Sequence, residues 1–203
     1  MERIEKGALM MGIEVVFTGD RVCFGSEHLS AVDLPDGRAV PAAAIRDADP
    51  AAFPPEIRTR TGLTLFVSAN QRAELAEFCA RYAVPIAHRV DVWADLLEPY
   101  LDTEFSEADQ RATIARLERA GIPADEVASI RARVGPVVHA YNVKVWEWVH
   151  LGLCDLFEAA TTRFVPQHLR DGLGDLTEFR AWALRIAERP VDGAGGDPAR
   201  PGR

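Results

Sequence analysis

The sequence predicts an α+β protein with a small N-terminal region of β-hairpins and a possible βαβ unit, followed by a helical C-terminal half packed around one long central helix. In residues 1–90, short β-branched runs alternate with Gly and Pro turns, which is typical of strands. In residues 91–189, apolar residues recur at helical spacing between capping residues. A chain of 203 residues with 48% apolar content can bury one sizeable core, so we expect the two regions to form one folded unit.

Two hairpins are expected in the N-terminal region. Gly19-Asp20 and the Pro-Asp-Gly sequence at 35–37 supply the backbone angles that tight reversals need. Strand-like residues stand on both sides of each turn. The expected hairpins pair residues 13–17 with 21–24, and 29–34 with 38–45.

A small βαβ unit is expected next along the chain. Residues 46–61 contain three prolines and are predicted to be a connector, and the apolar run 63–67 has the length of a buried strand. Ser68 is predicted to cap the following helix. Residues 84–87 are expected to return as a short edge strand beside 63–67, since Pro85 cannot donate a ladder hydrogen bond.

Five helices are expected in the C-terminal half. Pro99 strains the first of them, because its ring clashes with the carbonyl four residues earlier. The fourth, residues 136–162, is the longest and is predicted to be the central helix. From residue 190 onward the chain lacks apolar content, so 190–203 are expected to be a disordered tail. The predicted helices begin near Asp91, Ser106, Pro123, Pro136 and Asp175.

The composition indicates which partners and which cellular compartment to expect. A formal net charge of −8 argues against nucleic-acid binding and favours a basic protein surface or a small molecule as partner. No segment approaches about 18 uncharged apolar residues, so no membrane span is expected. The three cysteines lie far apart and show no ligand spacing, which predicts free thiols and a cytoplasmic protein.

An acidic stripe is the strongest pattern of possible chemical interest. Asp91, Asp95, Glu98 and Asp102 lie on one face of a helix, provided that the helix continues past Pro99. Like charges at this spacing repel by about 0.2–0.5 kcal/mol per pair, so something should offset them. Solvent and salt, a divalent ion, or arginines of the next two helices could do so. These arginines are Arg111, Arg116, Arg119, Arg131 and Arg133.

A second acidic pair makes a metal site conceivable. Asp95 and Glu98, like Asp155 and Glu158, are separated by three positions, which puts both carboxylates of a pair on one helix face. Two such helices packed together could hold Mg²⁺ or Mn²⁺ while a substrate phosphate completes the ligand shell. The two tetrapeptides resemble the acidic pairs of all-α nucleoside-triphosphate pyrophosphatases. That resemblance implies a divalent-metal-dependent hydrolase acting on a phosphorylated small molecule.

Two histidines are further candidates for a functional site. His139 and His150 share one sector of the predicted central helix with Trp146. Their Cα atoms would be about 16 Å apart at 1.5 Å per residue, so one ion cannot reach both without ligands from other helices. Glu147 and His150 have the Glu-x-x-His spacing of di-iron helical bundles, but those proteins need the motif twice. Both histidines therefore also fit a role at the margin of a core.

The sequence supports two functional predictions. The sequence contains no P-loop, dinucleotide-binding or serine-hydrolase signature, and we expect no cofactor. The first prediction is an accessory or protein-interaction module that uses the acidic helical surface, with Phe179 and Trp182 of the last helix as a possible docking element. The alternative is the metal-dependent hydrolase, with Mg²⁺ or Mn²⁺. Oligomeric state is not predicted.

Overall fold

The computed structural model describes residues 12–25 and 38–189. The chain divides into two compact units, Met1–Arg89 and Val90–Arg203. Within the described residues, unit 1 carries two three-stranded antiparallel sheets and unit 2 is helical. The predicted α+β class is therefore confirmed. None of the described helices is both long enough and apolar enough to cross a membrane.

Unit 1 begins with the first predicted hairpin. Val15–Thr18 (β1) and Arg21–Phe24 (β2) pair antiparallel around the Gly19-Asp20 turn, and Ala39–Pro41 (β3) pairs with β2. The predicted strand 29–34 and its turn at 35–37 lie outside the described residues. The second sheet has the order β4-β5-β6, and one helix, α1, follows it. These elements are Ile45–Asp49 (β4), Glu56–Thr59 (β5), Thr64–Phe66 (β6) and Arg72–Tyr82 (α1).

The prediction of a connector at 46–61 is wrong, because this segment supplies most of β4 and all of β5. All four residues of β5 are buried, including Glu56 and Arg58. The Glu56 carboxylate lies 3.1 Å from Nε of Arg58 and 3.0 Å from Nη1 of Arg89. Ion pairing within unit 1 thus allows charged residues in a buried strand, and the apolar alternation that marks a strand is lost.

The returning segment 84–87 also differs from its prediction. It makes an isolated parallel bridge to β4, with Ala48 N donating to Pro85 O at 2.9 Å and Ala87 N to Ala48 O at 3.0 Å. It therefore lies at the β4 edge of the sheet, away from β6. Pro85 lacks an N–H but still accepts a hydrogen bond, which fits an edge position.

Unit 2 is built around its longest helix. Ala124–Val145 (α4) contacts the second, third, fifth and sixth helices and buries residues along most of its length. Ser106 caps the third helix and Asp175 caps the seventh, as predicted. The Ser106 cap is a capping box, in which Asp109 also accepts from the Ser106 backbone N–H. The other helices are Val92–Leu97 (α2), Glu107–Arg119 (α3), Leu153–Thr161 (α5), Gln167–Asp171 (α6) and Leu176–Ala187 (α7).

The predicted limits of the central helix are wrong at both ends. Helix α4 passes through Gly135 and Pro136 without a break, and it ends at Val145, where Trp146 adopts a left-handed conformation (φ 57°). Gly135 serves packing rather than termination. A Cβ at this position would lie 2.9 Å from Cζ of Tyr100, whose hydroxyl donates to Arg131 O at 2.9 Å. The tail 190–203 lies outside the described residues.

Replacing Gly135 by Ala tests this packing. Helix propensity alone predicts that this change raises the free energy of unfolding by about 1 kcal/mol. Because the new methyl group would collide with the Tyr100 ring, we expect a loss of about 1–3 kcal/mol in the free energy of unfolding, measured by urea denaturation. The same change in a Tyr100→Phe background should cost less, since the hydroxyl nearest to the methyl group is gone. Stabilisation by Gly135→Ala would contradict this packing.

Candidate functional site

The four carboxylates of the acidic stripe do not share one helix. Helix α2 ends at Leu97, residues Glu98–Tyr100 form a 3₁₀ turn, and Asp102 lies beyond it. A 3₁₀ turn accommodates Pro99 near its start, so the chain tightens there instead of continuing as an α-helix. The helical stripe predicted from the 4-3-4 spacing is therefore wrong beyond Leu97.

An arginine of the neighbouring helix neutralises Asp95. Both Asp95 oxygens lie 3.0 Å from Nε of Arg116, and Oδ1 lies 2.6 Å from Nη2. The hydrogen bonds that Arg116 donates to Asp95 raise the pKa of its guanidinium above the ordinary value. Of the three offsets left open by the sequence, arginine pairing is the one that applies to Asp95.

The remaining members of the stripe also have protein partners. Asp91 caps α2 by accepting from Ala94 N at 3.0 Å, and its Oδ2 lies 3.4 Å from Nε2 of His150. Glu98 accepts from the Thr113 hydroxyl at 2.9 Å. The fourth member, Asp102, accepts from the indole N–H of Trp146.

The second acidic pair is engaged at the start and middle of α5. The buried Asp155 accepts from Gly152 N at 2.8 Å, and Glu158 accepts from the Tyr141 hydroxyl at 3.1 Å. Burial and the nearby Glu158 carboxylate raise the pKa of that hydroxyl. Across residues 12–25 and 38–189, no group of three or more His, Cys, Asp or Glu side chains is arranged to hold a metal ion.

The two candidate histidines lie in different kinds of structure. His139 is exposed on α4, whereas His150 lies in the loop between α4 and α5. The predicted helical sector shared by His139, Trp146 and His150 is therefore wrong, because the helix ends before Trp146. The imidazole of His150 lies beside the Asp91 carboxylate at the start of α2. The Glu147 carboxylate accepts from backbone N–H groups of its own loop.

The predicted docking role of the last helix is not supported by its packing. Phe179 is fully buried, and the Trp182 ring lies 5.8 Å from that of Trp93 in an edge-on arrangement. The guanidinium of Arg133 covers Trp182 at 4.3 Å from the ring centroid. These aromatic side chains help to close the core of unit 2.

An exposed apolar surface that the sequence patterns did not reveal lies at the end of α4 and in the loop after it. The exposed fractions of its residues are 63% for Val143, 54% for Trp146, 58% for Trp148 and 85% for Val149. We call these four residues the apolar patch, and residues 146–149 the tryptophan loop. The two indole rings have centroids 6.1 Å apart. The only sequence signal was the density of large apolar residues, which periodicity assigned to a helix.

The buried side chain of Asn142 holds the tryptophan loop at its base. Its Oδ1 accepts from Glu147 N at 2.6 Å, and its Nδ2 donates to Glu147 O at 3.1 Å and to Tyr100 O at 2.7 Å. Its main-chain oxygen accepts from Trp146 N at 2.7 Å. These four hydrogen bonds fix the left-handed turn at Trp146, where the helix ends.

Further hydrogen bonds hold the tip of the loop. One carboxylate oxygen of Glu147 accepts from the backbone N–H groups of Trp148 and Val149 at 3.0 and 2.8 Å. The Thr103 hydroxyl donates to Trp148 O at 2.7 Å, and Asp102 N donates to Glu147 O at 3.1 Å. The polar groups of the loop are thus bonded within unit 2, while its large apolar side chains face solvent.

Acidic side chains adjoin the apolar patch. Asp102 contacts the Trp146 indole, and Glu147 belongs to the loop itself. Glu104, two positions after Asp102, is exposed. Lys144 is a cation on the last turn of α4. The carboxylates of Asp102 and Glu147 thus lie at the patch.

Comparisons with protein-family models, with curated proteins and with solved structures found no match to this chain. The geometry described above is therefore the basis for a functional proposal.

Replacing Asp95 by Asn tests whether the stripe is a structural ion pair. The change leaves Arg116 without its carboxylate, so we expect the free energy of unfolding to fall by about 1 kcal/mol, as for a partly exposed pair. Mg²⁺ and Mn²⁺ should leave the melting temperature of wild type and variant unchanged. Glu118→Gln, an exposed change on the same helix as Arg116, is the control. A wild-type melting temperature that rises with Mg²⁺, and a variant that does not respond, would instead indicate a metal site.

Proposed function

We propose that this protein is an accessory protein-interaction module whose apolar patch binds a basic, partly apolar segment of another protein. The observation that carries the proposal is the exposure of four large apolar side chains, three of them on a loop that is held by hydrogen bonds and the fourth, Val143, on the last turn of α4. Singly exposed apolar residues are ordinary, but a cluster of them commonly marks an interaction surface.

The fixed conformation of the tryptophan loop supports this function. Binding costs free energy whenever it orders a mobile segment, and a loop already ordered by Asn142 and Glu147 avoids much of that cost. Tryptophan is enriched among the residues that dominate binding energy at protein interfaces. Trp148 and Val149 are well suited to such a role, since their backbone groups are bonded and their side chains are available.

The adjoining carboxylates indicate the chemistry of the partner. Arginine and lysine side chains are attracted both to indole faces and to carboxylates. Asp102, Glu104 and Glu147 supply the negative charge, and the net charge of the whole chain is −8. A segment that alternates basic and apolar side chains complements both features of this surface.

The proposed binding surface includes only one end of the acidic stripe. The sequence suggested the whole stripe from Asp91 to Asp102, but Asp95 is paired with Arg116. Asp102 is the member of the stripe that contacts the apolar patch. The alternative of a metal-dependent hydrolase stays a prediction from spacing, because no observation of the described residues favours it.

A defined peptide pair tests the proposal. We expect a helical peptide of alternating arginine and leucine clusters to bind saturably to the full chain, measured by isothermal titration calorimetry. Its charge-reversed counterpart, with glutamate for arginine, should bind at least about tenfold more weakly, because it meets the same carboxylates. The double variant Trp148→Ser, Val149→Ser should weaken binding of the basic peptide about tenfold or more, since it removes apolar area from the contact.

The matched control for the double variant is Val16→Ser. Val16 is 64% exposed on β1 in unit 1, so it tests loss of an exposed valine away from the patch. We expect this variant to bind the basic peptide as wild type does. Absence of saturable binding, equal binding of both peptides, or unchanged binding by a folded double variant would each contradict the proposal.

A further inference from the structure

A cavity of about 430 Å³ lies in unit 2 between the 3₁₀ turn Glu98–Tyr100, the segment after it, α3 and α4. Its size falls within the range of small-molecule sites. Charged, polar and apolar side chains all contribute to its wall. Its wall includes Glu98, Thr103, Phe105, Gln110, Ile114 and Arg131.

Two opposite charges face this cavity and are held in place by other groups. One carboxylate oxygen of Glu98 accepts from the Thr113 hydroxyl at 2.9 Å. The Arg131 guanidinium donates through Nε to Leu96 O and through Nη2 to Asp95 O, each at 3.0 Å. These hydrogen bonds leave the second Glu98 oxygen and Nη1 of Arg131 without a hydrogen-bond partner among the described residues.

Glu98 and Arg131 do not form an ion pair with each other, although both line the cavity. Their charges still interact. Burial lowers the pKa of the Arg131 guanidinium, and the nearby negative charges, Glu98 among them, oppose that effect. Both groups line one cavity and can contact a ligand in it, and each is held by its own hydrogen-bond partners.

We propose that this cavity binds a small zwitterion, specifically a free α-amino acid with an apolar side chain. The ligand ammonium group would contact Glu98, and its carboxylate would contact Arg131. A lone anion would also meet the Glu98 carboxylate, and a lone cation would meet the Arg131 guanidinium, so a ligand with both charges fits best. Phe105 and Ile114 provide the apolar wall for its side chain, and the Gln110 amide can bond either charged group.

This inference is separate from the proposed interaction function. The cavity is a concave site for a small molecule, whereas the apolar patch is an exposed surface for a protein segment. The two binding functions are tested with different ligands and different variants.

Calorimetric titration of the full chain with leucine and with phenylalanine tests the proposal. We expect saturable binding of at least one of them in the millimolar range or tighter. The matched analogues of leucine are 4-methylpentanoate, which lacks the ammonium group, and 3-methylbutylamine, which lacks the carboxylate. The corresponding analogues of phenylalanine are 3-phenylpropanoate and 2-phenylethylamine. Each should bind at least about tenfold more weakly than its parent amino acid, because one charged contact is lost.

Two variants locate the binding in the cavity. Glu98→Gln keeps an oxygen that accepts from Thr113 but removes the charge, and it should weaken binding about tenfold. Ile114→Trp should weaken or abolish binding by filling the cavity from α3. Glu118→Gln, also on α3 but outside the cavity lining, should bind as wild type. Circular dichroism melts establish that each variant is folded.

No saturable binding of either amino acid would overturn the proposal, as would binding of the single-charge analogues with the affinity of their parents. Binding that persists unchanged in both folded variants, Glu98→Gln and Ile114→Trp, would also overturn it.

Discussion

The buried side chain of Asn142 joins the end of α4 to two other segments of unit 2. It bonds to the backbone of Glu147 in both directions and donates to Tyr100 O. Each buried polar group that lost its partner would lower the stability of the folded state by about 1–3 kcal/mol. The three hydrogen bonds therefore favour one arrangement of these segments. They stop the helix at Val145 and turn the chain outward at Trp146. Without them, the apolar spacing of this region would favour continued helix.

The same hydrogen bonds connect the two surfaces for which we propose functions. Tyr100 ends the 3₁₀ turn that begins with Glu98, which lines the cavity. A few residues later, Asp102 and Thr103 bond to the tryptophan loop. One short segment therefore forms part of the cavity wall and part of the support for the apolar patch. Two contacts of Tyr100 position this segment. Asn142 donates to its main-chain oxygen, and Gly135 leaves room for its ring.

Features governed by local rules were predictable from sequence, and features governed by distant partners were not. The capping box at Ser106 and the first hairpin depend on residues a few positions apart. Strand β5 was missed because its buried carboxylate, Glu56, is paired with Arg89, which lies about thirty positions away along the chain. The acidic residues were identified, but only the structure shows that Arg116 binds Asp95. The patch was missed because nothing in the sequence marks Asn142 as the residue that ends the helix.

Amide hydrogen exchange of residues 146–149 tests the central claim most directly. If Asn142 fixes this loop, the amides of Trp146 and Glu147 should exchange slowly in the wild type, and Asn142→Ala should accelerate them selectively. His139→Ala, an exposed change on the same helix, is the control and should leave their exchange unaltered. Wild-type exchange of these two amides at the rate of an unstructured peptide would contradict the account, as would unchanged protection in Asn142→Ala.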